Sequence, residues 1–526
     1  MKQEQKTDKS KVVKTGAFDG LSSTIVNIEA SFTRGCNGVH IVGNVTESCR
    51  DGKDRAKTAL EKLDVTLPDK RIIINFSPAD IKKTGNHFDL PIAISFLQLA
   101  QTQPFRIDLK HWLFTAELGL KGQLRPVKGV VSFAIKAAEQ GLAGMVVSEQ
   151  NARELRTFTK LSSSKLKNLT ILSFQNLKQI VHWLQSGYEQ PLETQSKEAP
   201  LRNEAKSFDD MILSPEQTKL ICTIAAGMHS ALLRGSPGTG KSMLAARLPS
   251  ILPKMEPQEH IDALQIKSLV SESLPIELLE GFPPFRSPHH QSSSSAILGT
   301  ADAPGELALA HGGVLFLDEF PEFRKDLIEA LREPLQTGTV DISRAQKKVR
   351  WKTSSLLIAA CNNCPCGWAG SKKRLCACTT QKHINYSLRL SGPILDRIDI
   401  HFPMPEPKVP AAKMLVDLSS QAKSHQTEQL IHSVVEARAK AKKRNLKLSN
   451  NQFNRDIRSR DLLKASGLDE SSFSKLLEKY SKPENSTRAI VKALRVARTL
   501  ADIDNSESIR EENMATAMTW QSRKTI

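Results

Sequence analysis

The chain predicts an α/β protein built around a P-loop nucleotide-binding domain, with a smaller α+β domain before it and a helical segment after it. Three observations carry that expectation. The run Ala231-Leu232-Leu233 leads into Gly235-Ser236-Pro237-Gly238-Thr239-Gly240-Lys241-Ser242, which fits G-x-x-x-x-G-K-[ST] throughout, and then into the helix-forming Met243 to Leu248. A second apolar run, Gly312 to Leu317, ends in the adjacent acids Asp318 and Glu319. Beyond about Pro407 strand signals almost vanish.

In chain order, residues up to about Leu184 alternate β-branched runs such as Ile72-Ile73-Ile74 with helical segments at Leu90 to Leu99 and Phe133 to Gln140, which predicts an α+β domain over 1–185. Tyr188 to Lys206 is polar, rich in Glu, Gln and Lys, and carries two prolines, so 186–208 reads as a linker. The P-loop domain follows over 209–408 and a helical domain over 409–526, where Leu494 to Ala501 has helical periodicity. There is no internal repeat or low-complexity tract.

The P-loop dictates the central chemistry. Its glycines let backbone amides curl around phosphates, the N-terminus of the next helix favours their charge, Lys241 reaches the β/γ-phosphates and Ser242 offers its hydroxyl to Mg²⁺. Gly312 to Leu317 has the pattern of a buried parallel strand, whose carboxyl end is where an open α/β sheet places ligands. Asp318 is then positioned to hold Mg²⁺ and Glu319 to polarise the attacking water. The apolar run Leu356 to Cys361 ends in Asn362, which can orient that water. Arg397, in Leu390-Ser391-Gly392-Pro393-Ile394-Leu395-Asp396-Arg397-Ile398-Asp399, has two readings: a partner for Asp396 or Asp399, or a finger reaching the γ-phosphate of a neighbouring subunit.

A length of 526 residues implies roughly two to four domains. The formal charge of +18 favours a polyanionic partner, nucleic acid first. Met1 to Lys6 has no apolar signal region and no stretch of about 18 apolar residues occurs, so the expectation is a soluble, cytoplasmic protein with no membrane partner.

Four separated motifs carry a resemblance: Pro284-Phe285-Arg286-Ser287-Pro288-His289-His290, Pro304 to Glu319, Cys364-Pro365-Cys366-Gly367 and Ser391 to Arg397. Together they resemble the bacterial magnesium-chelatase-like AAA+ ATPases of the YifB/ComM type. Pro78-Ala79-Asp80, Phe88-Asp89-Leu90-Pro91 and Gly122 to Val130 resemble that family's N-terminal Lon-protease-like domain, of the ribosomal S5 domain 2-like fold, so the likeness spans almost the whole chain. The resemblance implies a hexameric ATP-driven motor on DNA, associated with branch migration during natural transformation. It makes Lys241 and Ser242 P-loop ligands, Asp318 and Glu319 the Walker B pair, Asn362 sensor 1 and Arg397 the arginine finger. Arg488, in Ser486-Thr487-Arg488-Ala489, resembles the sensor 2 arginine of a helical lid. Two positions depart from the family pattern: Asn363 stands where Pro is usual before Cys364, and Pro215-Glu216-Gln217 stands where many members have Gly-Gln.

The Lon likeness raises proteolysis, which needs a serine beside a base. The serine's neighbourhood falls on His87-Phe88-Asp89-Leu90-Pro91 and the lysine's on Gly129-Val130-Val131, with Lys128 nearby but displaced. The domain is expected to be proteolytically inert, with a structural or binding role.

Cys364, Cys366, Cys376 and Cys378 crowd one short segment. They can present four thiolates to a structural Zn²⁺, although the pairs are tighter than the usual spacing, or remain free thiols in a reducing cytosol. Adjacent His289 and His290 point in different directions and are not expected to chelate one ion. Ser292 to Ser295 with Gly299 suits a flexible loop.

Val340 to Ser343 and Val349 to Trp351 read as a hairpin around a basic turn, placing Arg344, Lys347 and Lys348 for sequence-independent phosphate contacts in a ring channel, or as a solvated turn. Arg438 to Lys447 is a second basic segment, helical in pattern, for DNA contact or a solvated face. Two functions remain open: an ATP-driven DNA motor acting in helicase-type branch migration during natural transformation and homologous recombination, or a magnesium-chelatase-like motor remodelling a protein partner.

Overall fold

The computed structural model describes residues 12–100, 104–161, 166, 168–188, 206–344, 347–390, 392–406, 425–449, 452–481, 483 and 485–521. Most of the expected linker lies outside the described residues. So do Ser391, the tip of the basic hairpin, and the side chains of Arg344 and Lys347.

The N-terminal strands are β1 (Val13–Asp19), β2 (Ser22–Thr33), β3 (Gly38–Val42), β4 (Arg71–Ser77), β5 (Trp112–Phe114), β6 (Glu117–Leu118), β7 (Leu124–Arg125), β8 (Gly144–Ser148) and β9 (Thr170–Phe174). Seven form one mixed sheet in the order β3-β4-β2-β1-β5-β8-β9, while β6 and β7 pair separately. Burial alternates along β4 as its period-two pattern requires, whereas β8 is buried at every residue, as expected of a central parallel strand. The expected helices appear as Asp89–Ala100 and Val130–Glu139.

The second sheet comprises β10 (Ala231–Arg234), β11 (Phe285–Arg286), β12 (Val314–Leu317), β15 (Leu356–Cys361) and β16 (Ile400–Pro403), with the hairpin strands β13 (Thr339–Arg344) and β14 (Lys347–Lys352) apart from it. Its order is β11-β12-β15-β10-β16 and every pairing is parallel. Strands β12 and β15 are wholly buried, which accounts for their uninterrupted apolar runs. The helix Pro215–Gly227 begins in a capping box between Ser214 and Gln217, satisfying two amide donors at its start.

After β16 the described residues carry helices and no strand, led by Gln426–Ser449 and Thr487–Ile503. Their apolar faces join the core of the parallel sheet, with Val434, Val496 and Leu500 fully buried beside Ala231, Leu233 and Ile358. The N-terminal unit is packed against the ATPase as well. Phe133, Leu155 and Phe158 share one buried cluster with Ala263, Leu264 and Leu274, and the Leu274 amide donates to the Glu154 carboxylate at 2.8 Å.

One sequence expectation is corrected here and one is refined. The serine run is not a loop throughout, because Ser294–Leu298 is a short helix whose first turn is capped by the Ser293 hydroxyl accepting from the Ala296 amide. The basic stretch Arg438 to Lys447 is divided: Lys443 and Lys447 face solvent, while other cations are engaged with the fold. Arg438 donates to the Ala225 carbonyl, Lys442 pairs with Glu256 at 2.6 Å, and Arg444 grips buried Asp502 at 2.7 and 2.8 Å. These three cations bind one side of the helix to the rest of the fold.

Candidate nucleotide site

Because the sheet is parallel, the segments following β10, β12 and β15 all emerge at its carboxyl edge. They carry the P-loop, Asp318-Glu319 and Asn362. Within the loop Gly238 and Gly240 have φ of +77° and +85°, conformations that L side chains rarely adopt, and a Cβ at Gly238 would meet nothing within 4 Å. The Lys241 ammonium donates to the carbonyls of Gly235 at 2.7 Å and Ser236 at 3.0 Å and to Asn362 Oδ1 at 3.2 Å. Burial pushes its pKa down, with Cys361 and Asp318 acting in the opposite sense. Ser242 Oγ donates to Asp318 Oδ2 at 2.7 Å, so the hydroxyl and carboxylate suited to Mg²⁺ already converge.

Glu319 sits just beyond Asp318 with φ 51° and ψ 44°, a left-handed conformation that is costly for a residue with a Cβ. Its amide donates to Asp318 Oδ1 at 2.9 Å, and its carboxylate Oε2 lies 3.1 Å from His290 Nδ1. His290 reaches this point because β11 pairs with β12 in parallel, bringing the residues after both strands to one edge. The rings of the two histidines lie against each other, tilted by 33°, with centroids 4.2 Å apart. Glycine cradle, ammonium, hydroxyl and paired acids together form a donor set that fits a Mg²⁺-bound nucleoside triphosphate.

Arg397 and Arg488 are not at this edge. Ser230, His311, Ser355 and Asp399 precede β10, β12, β15 and β16, and they line a cleft of about 810 Å³ at the amino edge together with both arginines. Arg455, Arg458, Lys492 and Arg495 line it too. Even the four-residue β10 spans about 13 Å. The two arginines therefore lie well beyond reach of the chain's own P-loop. The Arg397 guanidinium donates to the carbonyls of Arg332 and Pro393 and to Gln336 Oε1. Burial, with Arg488 next, lowers its pKa. Burial would raise Asp399, but His229, Lys492 and the Ser230 amide hold it down at about 2.

The four cysteines come together beside the P-loop. Cys364 Sγ lies 3.3 Å from Cys366 Sγ and 3.6 Å from Cys376 Sγ, Cys366 and Cys376 are 3.5 Å apart, and all four ligand atoms including that of Cys378 fall within 4.8 Å of one another. The backbone amides of Trp368 and Ala377 pull the Cys366 thiol down to about 6.

The family model described as "Magnesium chelatase, subunit ChlI" matches residues 208–413, "Subunit ChlI of Mg-chelatase" matches 28–151, and "Magnesium chelatase, subunit ChlI C-terminal" matches 424–521. The chain is 35% identical to the competence protein ComM of Haemophilus influenzae, over 97% of each chain. It is 33% identical to the uncharacterized protein YifB of Escherichia coli, over 97% of this chain and 96% of that one. The chain belongs to the ComM/YifB-type magnesium-chelatase-like family. Membership makes it an AAA+ protein and implies ATP and Mg²⁺ as its cofactors.

Lon protease 1 of Thermus thermophilus is 26% identical over 30% of this chain and 20% of its own length. The segments His87-Phe88-Asp89-Leu90-Pro91 and Gly129-Val130-Val131 contain neither serine nor lysine. His87 is buried with Nε2 2.8 Å from the Gly16 carbonyl oxygen, and burial lowers its pKa to about 4. Asp89 accepts two bonds from Arg55, and buried Lys83 donates to the Pro78 carbonyl. Lys128 is exposed.

The basic hairpin exists, and its base is anchored. Val340, Val349 and Trp351 are buried, Trp351 Nε1 donates to the Thr300 carbonyl, and the β1–β2 turn approaches so closely that a Cβ on Gly20 would lie 2.9 Å from Val349. Lys348 is exposed. Among the described residues no helix is long and apolar enough to cross a membrane.

Sequence reasoning missed three contacts: His290 on Glu319, Arg488 beside Arg397 at the far edge, and His383, whose Nε2 lies 3.3 Å from Cys376 Sγ. The motif that includes His290 marked it as notable, but nothing local pointed to its partner.

Proposed function

We propose that this protein is an ATP-driven DNA motor that works as a cytoplasmic hexameric ring and moves branched DNA during natural transformation and homologous recombination. The observation that carries the reading is the separation of Arg397 and Arg488 from the chain's own P-loop by the width of the parallel sheet. An arginine finger stranded at the amino edge suits a head-to-tail neighbour whose nucleotide faces that cleft. Lys241, Ser242 and Asp318 hold the triphosphate and Mg²⁺, Glu319 polarises the water, and Asn362 orients it. Arg397 and Arg488 act in trans, the latter from a helical lid.

Several features favour DNA as the track. The net charge is +18, Lys348 is exposed on the hairpin, and a relative matched along nearly its whole length is named a competence protein. Arg344, Lys347 and Lys348 would meet phosphates without reading bases. The Lon-like N-terminal part is a non-proteolytic platform, and the clustered cysteines hold one zinc ion.

Forked DNA at low salt should stimulate ATP hydrolysis, with stimulation falling steeply as salt rises. Hydrolysis indifferent to every DNA structure, with no DNA binding at low salt, would discard the DNA motor and favour a chelatase-type motor acting on a protein.

A further inference from the structure

We propose that the cysteine segment is a zinc-loaded brace for the nucleotide site, holding Asn362 and the P-loop in register so that metal occupancy sets the rate of hydrolysis. This rests on zinc being the occupant of the four thiols.

The geometry suits that metal. Zinc–thiolate bonds of about 2.3 Å in a tetrahedron place sulfurs about 3.8 Å apart. Three sulfur pairs here measure 3.3, 3.5 and 3.6 Å, and the fourth ligand atom lies within 4.8 Å of the rest. Backbone amides support the sulfurs, with Ala369 donating to Cys364 Sγ at 3.3 Å and Cys378 to Cys376 Sγ at 3.4 Å. His383 Nε2, at 3.3 Å from Cys376 Sγ, is placed to orient that ligand.

Besides the sulfurs, single polar and ring contacts hold the segment, with Asn363 Nδ2 donating to the Ala369 carbonyl at 2.9 Å and Arg374 lying over the Trp368 ring. Between β15 and the helix Thr380–Leu388 it forms neither helix nor strand, and its one leucine, Leu375, is 91% exposed. A metal knuckle supplies the cross-link that an apolar core would otherwise provide.

The brace reaches the nucleotide site through three direct contacts. Asn362, which accepts from Lys241, is the residue from which the segment springs, and Arg234 donates to the Asn363 carbonyl at 3.3 Å. Gly367, at φ +86°, lies against the P-loop so tightly that a Cβ there would stand 2.6 Å from Pro237 Cγ and 2.8 Å from its Cδ. The Gly367 amide donates to the Cys364 carbonyl at 2.9 Å, tying this contact to the first ligand. Moving the sulfurs therefore moves both Asn362 and Pro237.

The full-length protein purified without chelator should contain about one zinc per chain, and replacement by Co²⁺ should give the thiolate charge-transfer absorption of a four-sulfur site. Gly367→Ala keeps every ligand but forces the knuckle off Pro237. It should retain its zinc, lose about tenfold or more in kcat and hold ADP within about threefold of wild type. Wild-type protein stripped by a zinc-selective chelator and returned to Mg²⁺ should lose kcat likewise and regain it with added zinc. Absence of zinc from the wild type, or cobalt protein without the thiolate band, overturns the metal reading. A zinc-loaded wild type whose kcat survives both Gly367→Ala and stripping keeps the metal and overturns the brace.

Discussion

His290 Nδ1 lies 3.1 Å from Glu319 Oε2, across the carboxyl ends of two neighbouring parallel strands. Glu319 has a left-handed backbone conformation and a side chain that is about half exposed, so the imidazole contact is what orients its carboxylate. The contact acts on the group assigned to the attacking water, while the phosphate-binding residues lie elsewhere along the edge. His290→Ala should therefore lower kcat by about tenfold with little change in KM. His290→Gln, which can still donate to the carboxylate, should recover part of the loss. Steady-state kinetics on the three proteins checks this, and an equal rise in KM for both variants would assign His290 to nucleotide binding.

Lys241 and Glu319 should fail in different ways. The ammonium compensates phosphate charge in the ground state, so Lys241→Ala should abolish productive nucleotide binding, whereas Glu319→Gln should keep ATP bound and nearly unhydrolysed. Titration with a fluorescent ATP analogue separates them. Equal loss of affinity in both would contradict the roles.

Glu154 predicts a pH dependence. Burial raises its carboxyl from 4.5 to about 7, against the pull of the Leu274 amide and Asn151. The folded state thus holds a proton that the unfolded chain has lost between those values, and stability falls as pH rises through them. Glu154→Gln, which keeps an acceptor for the Leu274 amide, should match wild type near pH 4.5 and exceed it by about 1 to 3 kcal/mol above pH 7. Denaturant melts across that range test it, and a parallel pH profile in both proteins would refute it.

Asp502 anchors the C-terminal helices. It is buried, accepts from Arg444, Arg498 and Asn454, and ties the basic helix Gln426–Ser449 to Thr487–Ile503. Arg444→Ala removes two charge-assisted hydrogen bonds while Arg498 still pairs with the carboxylate, for an expected loss of about 2 kcal/mol. Calorimetry should show it, and an unchanged melting temperature would mean the pair is dispensable.

Three strands of the parallel sheet and their carboxyl edge were legible because β10, β12 and β15 are mainly apolar runs followed by a residue with chemistry: Gly235, Asp318, Asn362. Contacts that depend on strand order were not. His290 meets Glu319 only because β11 lies beside β12, and Arg488 shares a cleft with Arg397 only because the C-terminal helices fold back under the amino edge. The engaged side of the basic helix was hidden for the same reason, since the groups that Arg444, Lys442 and Arg438 bind, Asp502, Glu256 and the Ala225 carbonyl, lie far away in the chain. The serine run misled through composition, where one cap at Ser293 decided for a helix.

The central claim is that the ATP site is completed by a neighbouring subunit, and mixing two inactive variants tests it most directly. Arg397→Ala removes the proposed finger but leaves the P-loop, and Lys241→Ala removes the P-loop cation but leaves the finger. Each alone should be inactive, and the mixture should regain hydrolysis from interfaces that pair an intact P-loop with an intact arginine. A mixture as inactive as its components, or an Arg397→Ala protein that hydrolyses ATP at the wild-type rate, would contradict the account.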